Sequence, residues 1–316
     1  MRYYIAVTDN EWYRFLADAR PDEVNFWRPG GGLQVRSIQP GAPFLFKLHS
    51  PRNFITGGGF FVSHSNLPLS LAWQAFEQKN GAGTLEEFRR LILRARQRHR
   101  RDDSRVEVDP WIGCTILTEP FFFAESDWIP APRDWSPNIV SGKTYDSESD
   151  VGREIWQRVS ELLLRYDRPG EQPPTRVIVE EGGLYGSEYL TRARLGQGAF
   201  RILVTDAYQR RCAITGERTL PVLDAAHIKP YSRSGPNRVS NGLLLRSDLH
   251  TLFDLGYITI DREYRIEISR RIREEFENGR EYYAFRGRPL AILPEAHQDR
   301  PSEELLDWHN ETVFVP

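Results

Sequence analysis

AAHIKPYSRSGPNRVSNGLLLRSDLHTLFD, residues 225–254, holds two of the chain's seven histidines with an asparagine between them. The preceding LPVLDA leads into a strand that ends at His227, which Lys229-Pro230 then breaks. YSRSGPNRVSNG is polar and glycine-containing, a loop. LLLRSDLHTLFDLG begins apolar, then offers Ser247 or Asp248 as a helix cap and Gly256 as a stop. The order is strand, loop, strand, helix: a hairpin packed on one helix, with His227 on the first strand and His250 on the helix. His250 and Asp254 fall at i, i+4 on one helical face.

These residue types match one chemistry. Phosphodiester hydrolysis needs a base to activate water and a cation to stabilise charge on the phosphorane and the leaving oxygen. A neutral imidazole takes a proton near pH 7, and one divalent metal suffices when a histidine activates the nucleophile. An asparagine in the loop can bond backbone groups and keep the base's strand end in register. Blander readings exist for each residue. A lone strand histidine is more often structural than catalytic, Asn241 could be a turn residue before Gly242, and Asp254 could cap the helix or bond an arginine.

The framing decides between them. H-x13-N-x8-H, preceded by CAITG and closed by LHTLFD, resembles the HNH endonuclease family with its ββα-metal fold. In Q-x-x-FR…AYQRRCAITG…AAHIKP…NGLLL…LHTLFD the resemblance spans about 60 residues, Gln197 to Leu255. It implies His227 as general base, His250 as a metal ligand, Asn241 as the residue that orders the loop, and one Mg²⁺ or Mn²⁺ per active site. Many members carry Asp or His immediately before the base, where this chain has Ala226. Asp224 shares the strand parity of Ala226 but sits about 6–7 Å further along. Asp224 is the candidate metal ligand beside His250, and Asp248, Asp254 or water could complete the shell. Arg210, Arg211, Lys229, Arg233 and Arg238 suit contacts to the DNA backbone, which position without specifying sequence.

Beyond this stretch, 316 residues exceed one ordinary core and point to two domains. A content of 40% hydrophobic and 27% charged residues describes a folded chain, and the net charge of −2 does not exclude nucleic-acid binding if basic groups cluster. RARQRHRR (94–101) is one such cluster, although a charge run is more often a solvated helix face. Cys114 and Cys212 are the only cysteines, so neither a disulfide framework nor an all-cysteine zinc site is expected. No apolar run approaches about 18 residues and the N-terminus lacks signal-peptide character, so a cytoplasmic protein without a membrane span is expected.

The expected fold is α+β in two domains. Residues 1–148 form the first, 149–174 a helix and Pro-rich linker (RPGEQPPT), and 175–316 the nuclease domain. In the first domain RYYIAVT reads as a strand, and Asp9 or Asn10 caps a helix carrying Trp12, Phe15 and Leu16. LQVRSIQPGAPFLFKL reads as strand, turn, strand. NFITGGGFFVSH is a further strand, with a bulge or bend at Gly57–Gly59. Helices follow in SLAWQAFEQ and GTLEEFRRLILRARQRHRR, then a strand in IGCTILTEPFFF and a loop over 127–150.

In layout this half is similar to the PUA superfamily, which includes the EVE, SRA, YTH and ASCH domains: small β-barrels with flanking helices. Several members hold a flipped or modified base between aromatic walls. Six of the eight tryptophans fall here, and an aromatic wall returns roughly 1–3 kcal/mol to an unstacked base. Trp27, Trp128, His64, Ser65 and Asn66 are the candidate pocket residues, although the core reading leads for any single tryptophan. The combined expectation is a modification-dependent restriction endonuclease. It would read 5-methyl- or 5-hydroxymethylcytosine in double-stranded DNA and form a homodimer for double-strand cleavage. The rivals are an HNH nuclease whose first domain reads RNA, unmodified DNA or a backbone modification, a binding module with a dead nuclease domain, and a toxin or effector nuclease.

Overall fold

The computed structural model describes residues 1–30, 37–97, 107–166, 185–186, 189–190, 193 and 195–316. The chain is mixed α+β and divides into two compact units, Met1–Ala199 and Phe200–Pro316.

In the first unit the elements run β1 (Arg2–Thr8), α1 (Asn10–Ala19), β2 (Glu23–Arg28), β3 (Pro43–Leu48), β4 (Phe54–Pro68), α2 (Leu69–Phe76), α3 (Leu85–Gln97), β5 (Trp111–Phe122), β6 (Ile129–Pro130), β7 (Gly142–Asp146) and α4 (Asp150–Tyr166). The sheet order is β2-β5-β4-β3-β1-β7, with β6 added to β4. β1 and β3 are parallel, and the other ladders are antiparallel.

Strand parity explains why YYIA and PFLF are continuous apolar runs rather than alternating ones. Tyr4, Ala6, Phe44 and Phe46 point into one core with Trp12, Tyr13 and Leu16 of α1. Tyr3, Ile5 and Leu45 point into a second core with Ile155, Val159, Leu162 and Leu163 of α4. A sheet covered on both faces requires apolar residues at both parities.

α4 therefore packs within the first unit, although the sequence reading set it apart as the start of a connecting segment. Its apolar stripe has the second sheet face to cover. The Pro-rich stretch after it lies outside the described residues, as do 98–101 of the basic run and most of LQVRSI.

Local expectations meet their physics here. Asp9 is the cap of α1, accepting from Glu11 N at 2.8 Å and Trp12 N at 3.1 Å. Before α3, Thr84 Oγ1 accepts from Glu87 N, while Glu87 Oε2 accepts from Gly83 N, one residue earlier than a standard capping box. The glycine run does mark register shifts, in the β4–β5 ladder at Gly58/Phe60 and in β3–β4 opposite it. A Cβ at Gly57 would lie 2.2 Å from the Phe121 carbonyl oxygen, so only glycine admits this approach. The 127–150 segment is not all loop: β7 pairs antiparallel with β1 from Arg2↔Asp146 to Ala6↔Gly142. GKTYD is too short and polar to reveal itself as a strand. EVNFWR, also unforeseen, is β2 against β5.

The second unit contains most of α5 (Gln197–Ala207), then β8 (Leu223–His227), β9 (Gly242–Arg246), α6 (Ser247–Asp254), β10 (Ile258–Ile260), β11 (Ile266–Ile268), α7 (Arg271–Phe276), α8 (Arg280–Tyr283) and α9 (Glu303–Thr312). β8 and β9 form an antiparallel hairpin from Leu223↔Arg246 to His227↔Gly242, and β10–β11 form another. Their common core includes Phe200, Val204, Tyr208, Leu243, Leu245, Phe253, Ile258 and Leu306. Gly256 ends the α6 turn at φ +77°, where a Cβ would strike the Val313 carbonyl. Both cysteines are buried and outside any disulfide. Among the described residues no helix is long and apolar enough to cross a membrane.

α9 is tied to this core by His309, whose ring stacks on Phe253 at 3.8 Å and lies 2.8 Å from Thr259 Oγ1 and 3.1 Å from the Phe253 carbonyl. Burial takes its pKa down to about 4. The unfolded chain, with a histidine near 6.5, then binds the extra proton between these values. Stability is full above about pH 6.5 and lost as pH falls through about 4, a change of about 3 kcal/mol. Urea unfolding of wild type should show this acid slope in excess of His309→Gln; equal slopes would exclude it.

Candidate active site

His227 closes β8, and Asn241 immediately precedes β9, with Ile228 N bonded to the Asn241 carbonyl at 2.9 Å. Asn241 is fully buried. Its Oδ1 accepts from Lys229 N, and its Nδ2 donates to the Lys229 and Pro236 carbonyls, each at 2.9 Å. One side chain thus ties both ends of the 229–236 loop and carries the closure that hairpin pairing cannot, because Pro230 and Pro236 donate no N–H.

The His227 ring lies flat on Phe200 at 3.8 Å with a 12° interplanar angle. Its Nε2 is 2.8 Å from Asn237 Oδ1. With a carboxamide oxygen as partner, the neutral ring carries its proton on Nε2 and keeps the lone pair on Nδ1. Burial lowers the pKa of His227; the Asn237 hydrogen bond opposes this and His250 adds to it. The neutral, proton-accepting form is therefore the one favoured near neutrality.

On α6, His250 stands between two carboxylates: Nδ1 is 3.9 Å from Asp224 Oδ2 and Nε2 is 3.3 Å from Asp254 Oδ2. Burial opposes its charge, but Asp224 and Asp254 outweigh burial and raise its pKa to about 9. Asp224 also accepts from Ser247 Oγ at 2.7 Å and pairs with Arg201 at 3.4 Å. The facing His250 ring is the main cause holding its carboxyl below the usual range.

Asp224 thus reaches His250 across the β8–α6 contact despite its distance along the strand from position 226. Asp248 does not join them, because Arg246 grips it at 2.6 and 2.7 Å. Nor do Ser247 and Asp248 cap α6. Arg246 is its N-cap, without a side-chain cap bond, and both side chains are spent on the contacts just described.

Among the described residues no group of three or more His, Cys, Asp or Glu side chains is arranged to hold a metal ion. Asp224 and His250 still offer one carboxylate oxygen and one imidazole nitrogen facing each other. That pair suits an oxygen-preferring divalent ion that keeps waters and a substrate phosphate in its shell. The donor set fits such an ion, with His250 required in its neutral form.

The basic residues occupy several settings. Arg210 is paired with Asp206 at 3.3 Å, Arg211 follows it, and Arg238 has a buried Nε without a partner. Lys229 and Arg233 lie over the Trp308 ring. Asn237, Arg201 and Ser247 are site residues the sequence did not reveal: Ser247 reads there only as a helix cap and Arg201 only as the arginine of Q-x-x-FR.

In the first unit Trp27 and His64–Asn66 lie on neighbouring strands either side of β5, with Trp27 and Ser65 both opposite Cys114, while Trp128 lies apart from them, before β6. Trp27 donates to the Asn80 carbonyl at 2.8 Å and meets Phe88 of α3 edge-on, so it packs the core. His64 Nδ1 is 3.0 Å from Thr115 Oγ1, with its pKa lowered by burial and by Arg28. Ser65 is buried, and it and Asn66 pair across to Cys114 and Gly113 of β5. Trp128 lines a cavity of about 240 Å³ with Asn10, Tyr13, Arg14, Leu48, Arg52 and Glu125. Tyr13 meets its ring edge-on at 6.3 Å, Arg52 lies 5.7 Å above it, and Asn10 Oδ1 is buried without a partner.

Residues 212–261 match the HNH endonuclease family model. They form an HNH endonuclease domain. The match contains Asp224, His227, Asn237, Asn241, His250 and Asp254 and leaves α5 and α9 outside it. HNH nucleases generally use a divalent metal. Two solved structures are similar at low levels. A point mutant of the ZmASCH protein from Zymomonas mobilis has 9% identity and a TM-score of 0.32, over 49% of this chain and 96% of its own. The modification-dependent TagI restriction endonuclease has 14% identity and a TM-score of 0.27, over 92% of this chain and 75% of its own. None of the curated proteins matches.

Proposed function

We propose that this chain is a modification-dependent restriction endonuclease, acting in the cytoplasm on double-stranded DNA that carries 5-methyl- or 5-hydroxymethylcytosine. The observation that carries the nuclease half is the arrangement of His227, Asn241, His250 and Asp224 on one hairpin and helix. In this reading His227 Nδ1 takes a proton from water as its oxygen attacks phosphorus, while Phe200 and Asn237 hold the ring in place. Asp224 and His250 would hold one Mg²⁺ or Mn²⁺, whose positive charge would stabilise the charge that builds up on the phosphate during cleavage. One such site cuts one strand, so a double-strand break takes a homodimer or two successive nicks.

Support for the modified-base half comes from the Trp128 cavity. It joins an aromatic wall, two arginines and a carboxylate. This moves the proposed pocket from the Trp27 and His64–Asn66 region to Trp128, Tyr13 and Asn10.

The test is cleavage of matched plasmids, unmodified, cytosine-methylated and hydroxymethylated, with Mg²⁺ or Mn²⁺. Cutting should be confined to a modified plasmid. Trp128→Ala should lower the rate on that plasmid by about tenfold through lost stacking. Equal cutting of all three plasmids would leave an HNH nuclease and sink the modified-base reading.

A further inference from the structure

The loop tied by Asn241 carries two cations toward a helix that the HNH match does not include. Lys229 Nζ lies 5.4 Å and the Arg233 guanidinium carbon 5.8 Å from the centre of the Trp308 ring on α9. Both distances fall within cation–π range. No ion pair holds either cation among the described residues. Two like charges gathered on one ring repel each other, and the ring offsets only part of that cost. The arrangement is complete only with an anion facing it.

α9 is a rigid mount for the ring. His309 fixes it to Phe253 and Thr259, Asn310 Nδ2 donates to the Ile260 carbonyl at 2.9 Å, and Ser302 N donates to the Ser240 carbonyl at 2.9 Å, next to Asn241. Tyr231, 65% exposed, shares the short turn with Arg233. The loop begins two residues after His227, so a phosphate bound there neighbours the one being cut.

We propose that Trp308 is a positioning residue for the nucleic-acid backbone: it orders Lys229 and Arg233 as a pair that grips DNA phosphates flanking the scissile bond. This rests on the nuclease reading above and extends the DNA-contacting surface to the last helix. Ordering the side chains before binding removes rotamer entropy that free lysine and arginine would lose on contact.

The test is fluorescence anisotropy of the full-length protein with labelled unmodified and cytosine-methylated duplexes, across a range of salt, with a chelator to prevent cutting. Trp308→Leu should weaken binding to both duplexes by about three- to tenfold and reduce the slope of log K against log salt by about one to two, because each phosphate contact contributes about 0.9. Trp308→Phe, which keeps an aromatic face, should retain most of the affinity and slope. In a Lys229→Ala/Arg233→Ala background Trp308→Leu should add nothing. Thermal unfolding of each variant reports whether α9 stays docked. Unchanged affinity and slope in Trp308→Leu would overturn the proposal, as would a Phe variant as weak as Leu, or a Leu effect that persists without the two cations. A wild type that binds neither duplex would overturn the nuclease reading and this inference with it.

Discussion

Replacing His227 with alanine is expected to lower the rate of phosphodiester cleavage by about 10²–10⁴-fold while DNA binding persists. In the proposed mechanism the ring, lying on Phe200 with Nε2 held by Asn237, offers a lone pair on Nδ1 rather than a contact to the DNA backbone. The control is Asn237→Ala, which leaves the imidazole in place but frees its orientation and tautomer. It should reduce the rate by less than the loss of the ring. Single-turnover cleavage beside binding of the same duplex in chelator separates the two effects. A His227→Ala protein that still cuts within a few-fold of wild type would remove this histidine from the mechanism. One that neither binds nor cuts would indicate a damaged hairpin.

The second large effect is expected at Asn241, and it is first an effect on stability. Asn241→Asp keeps an acceptor for Lys229 N but turns the amide that serves the Lys229 and Pro236 carbonyls into a second acceptor. Three oxygens would then face one another at a fully buried position. The expected cost is about 2–4 kcal/mol, from two lost hydrogen bonds and a buried charge with a single donor, Lys229 N. The variant should also cut poorly, because the loop no longer fixes the end of β8 that carries His227. Urea unfolding of the full chain measures the first and the plasmid assay the second. A stability loss below about 0.5 kcal/mol would show that the loop is held by other means.

Much of this site is legible in the chain because it is local. His227, Asn241 and His250 come from one hairpin and the helix that follows, so spacing along the sequence is already spacing in three dimensions. Strand parity names Asp224 as a candidate in the same way, although the distance along the strand argues against it. What closes that gap is α6 packing back on β8, a tertiary contact that brings His250 to Asp224. Asn237 was hidden for a different reason: one asparagine in a polar loop looks like any other until the loop is folded. The assignment of Ser247 and Asp248 as caps failed because stronger partners, Asp224 and Arg246, compete for those side chains.

In the first unit the sequence carries less. Continuous apolar runs at β1 and β3 indicate burial, but only the assembled sheet shows that alternate residues serve two different cores, and that α4 is needed to cover the second. Trp27 and Trp128 are equivalent as letters in glycine- or proline-bearing segments. The first is spent on α3 and Asn80, and the second lines a cavity with residues from α1, the β3–β4 turn and the segment before β6.

By itself the sequence determined the HNH segment, the order of strands and helix within it and the identity of its two histidines and asparagine, since these depend on neighbours within about one hairpin and one helix. The tertiary structure decided which carboxylates face His250, which tautomer His227 keeps, where an aromatic cavity opens in the first unit and how Trp308 meets Lys229 and Arg233. Each of these is a convergence of side chains from segments far apart in the chain, and only packing brings them within reach.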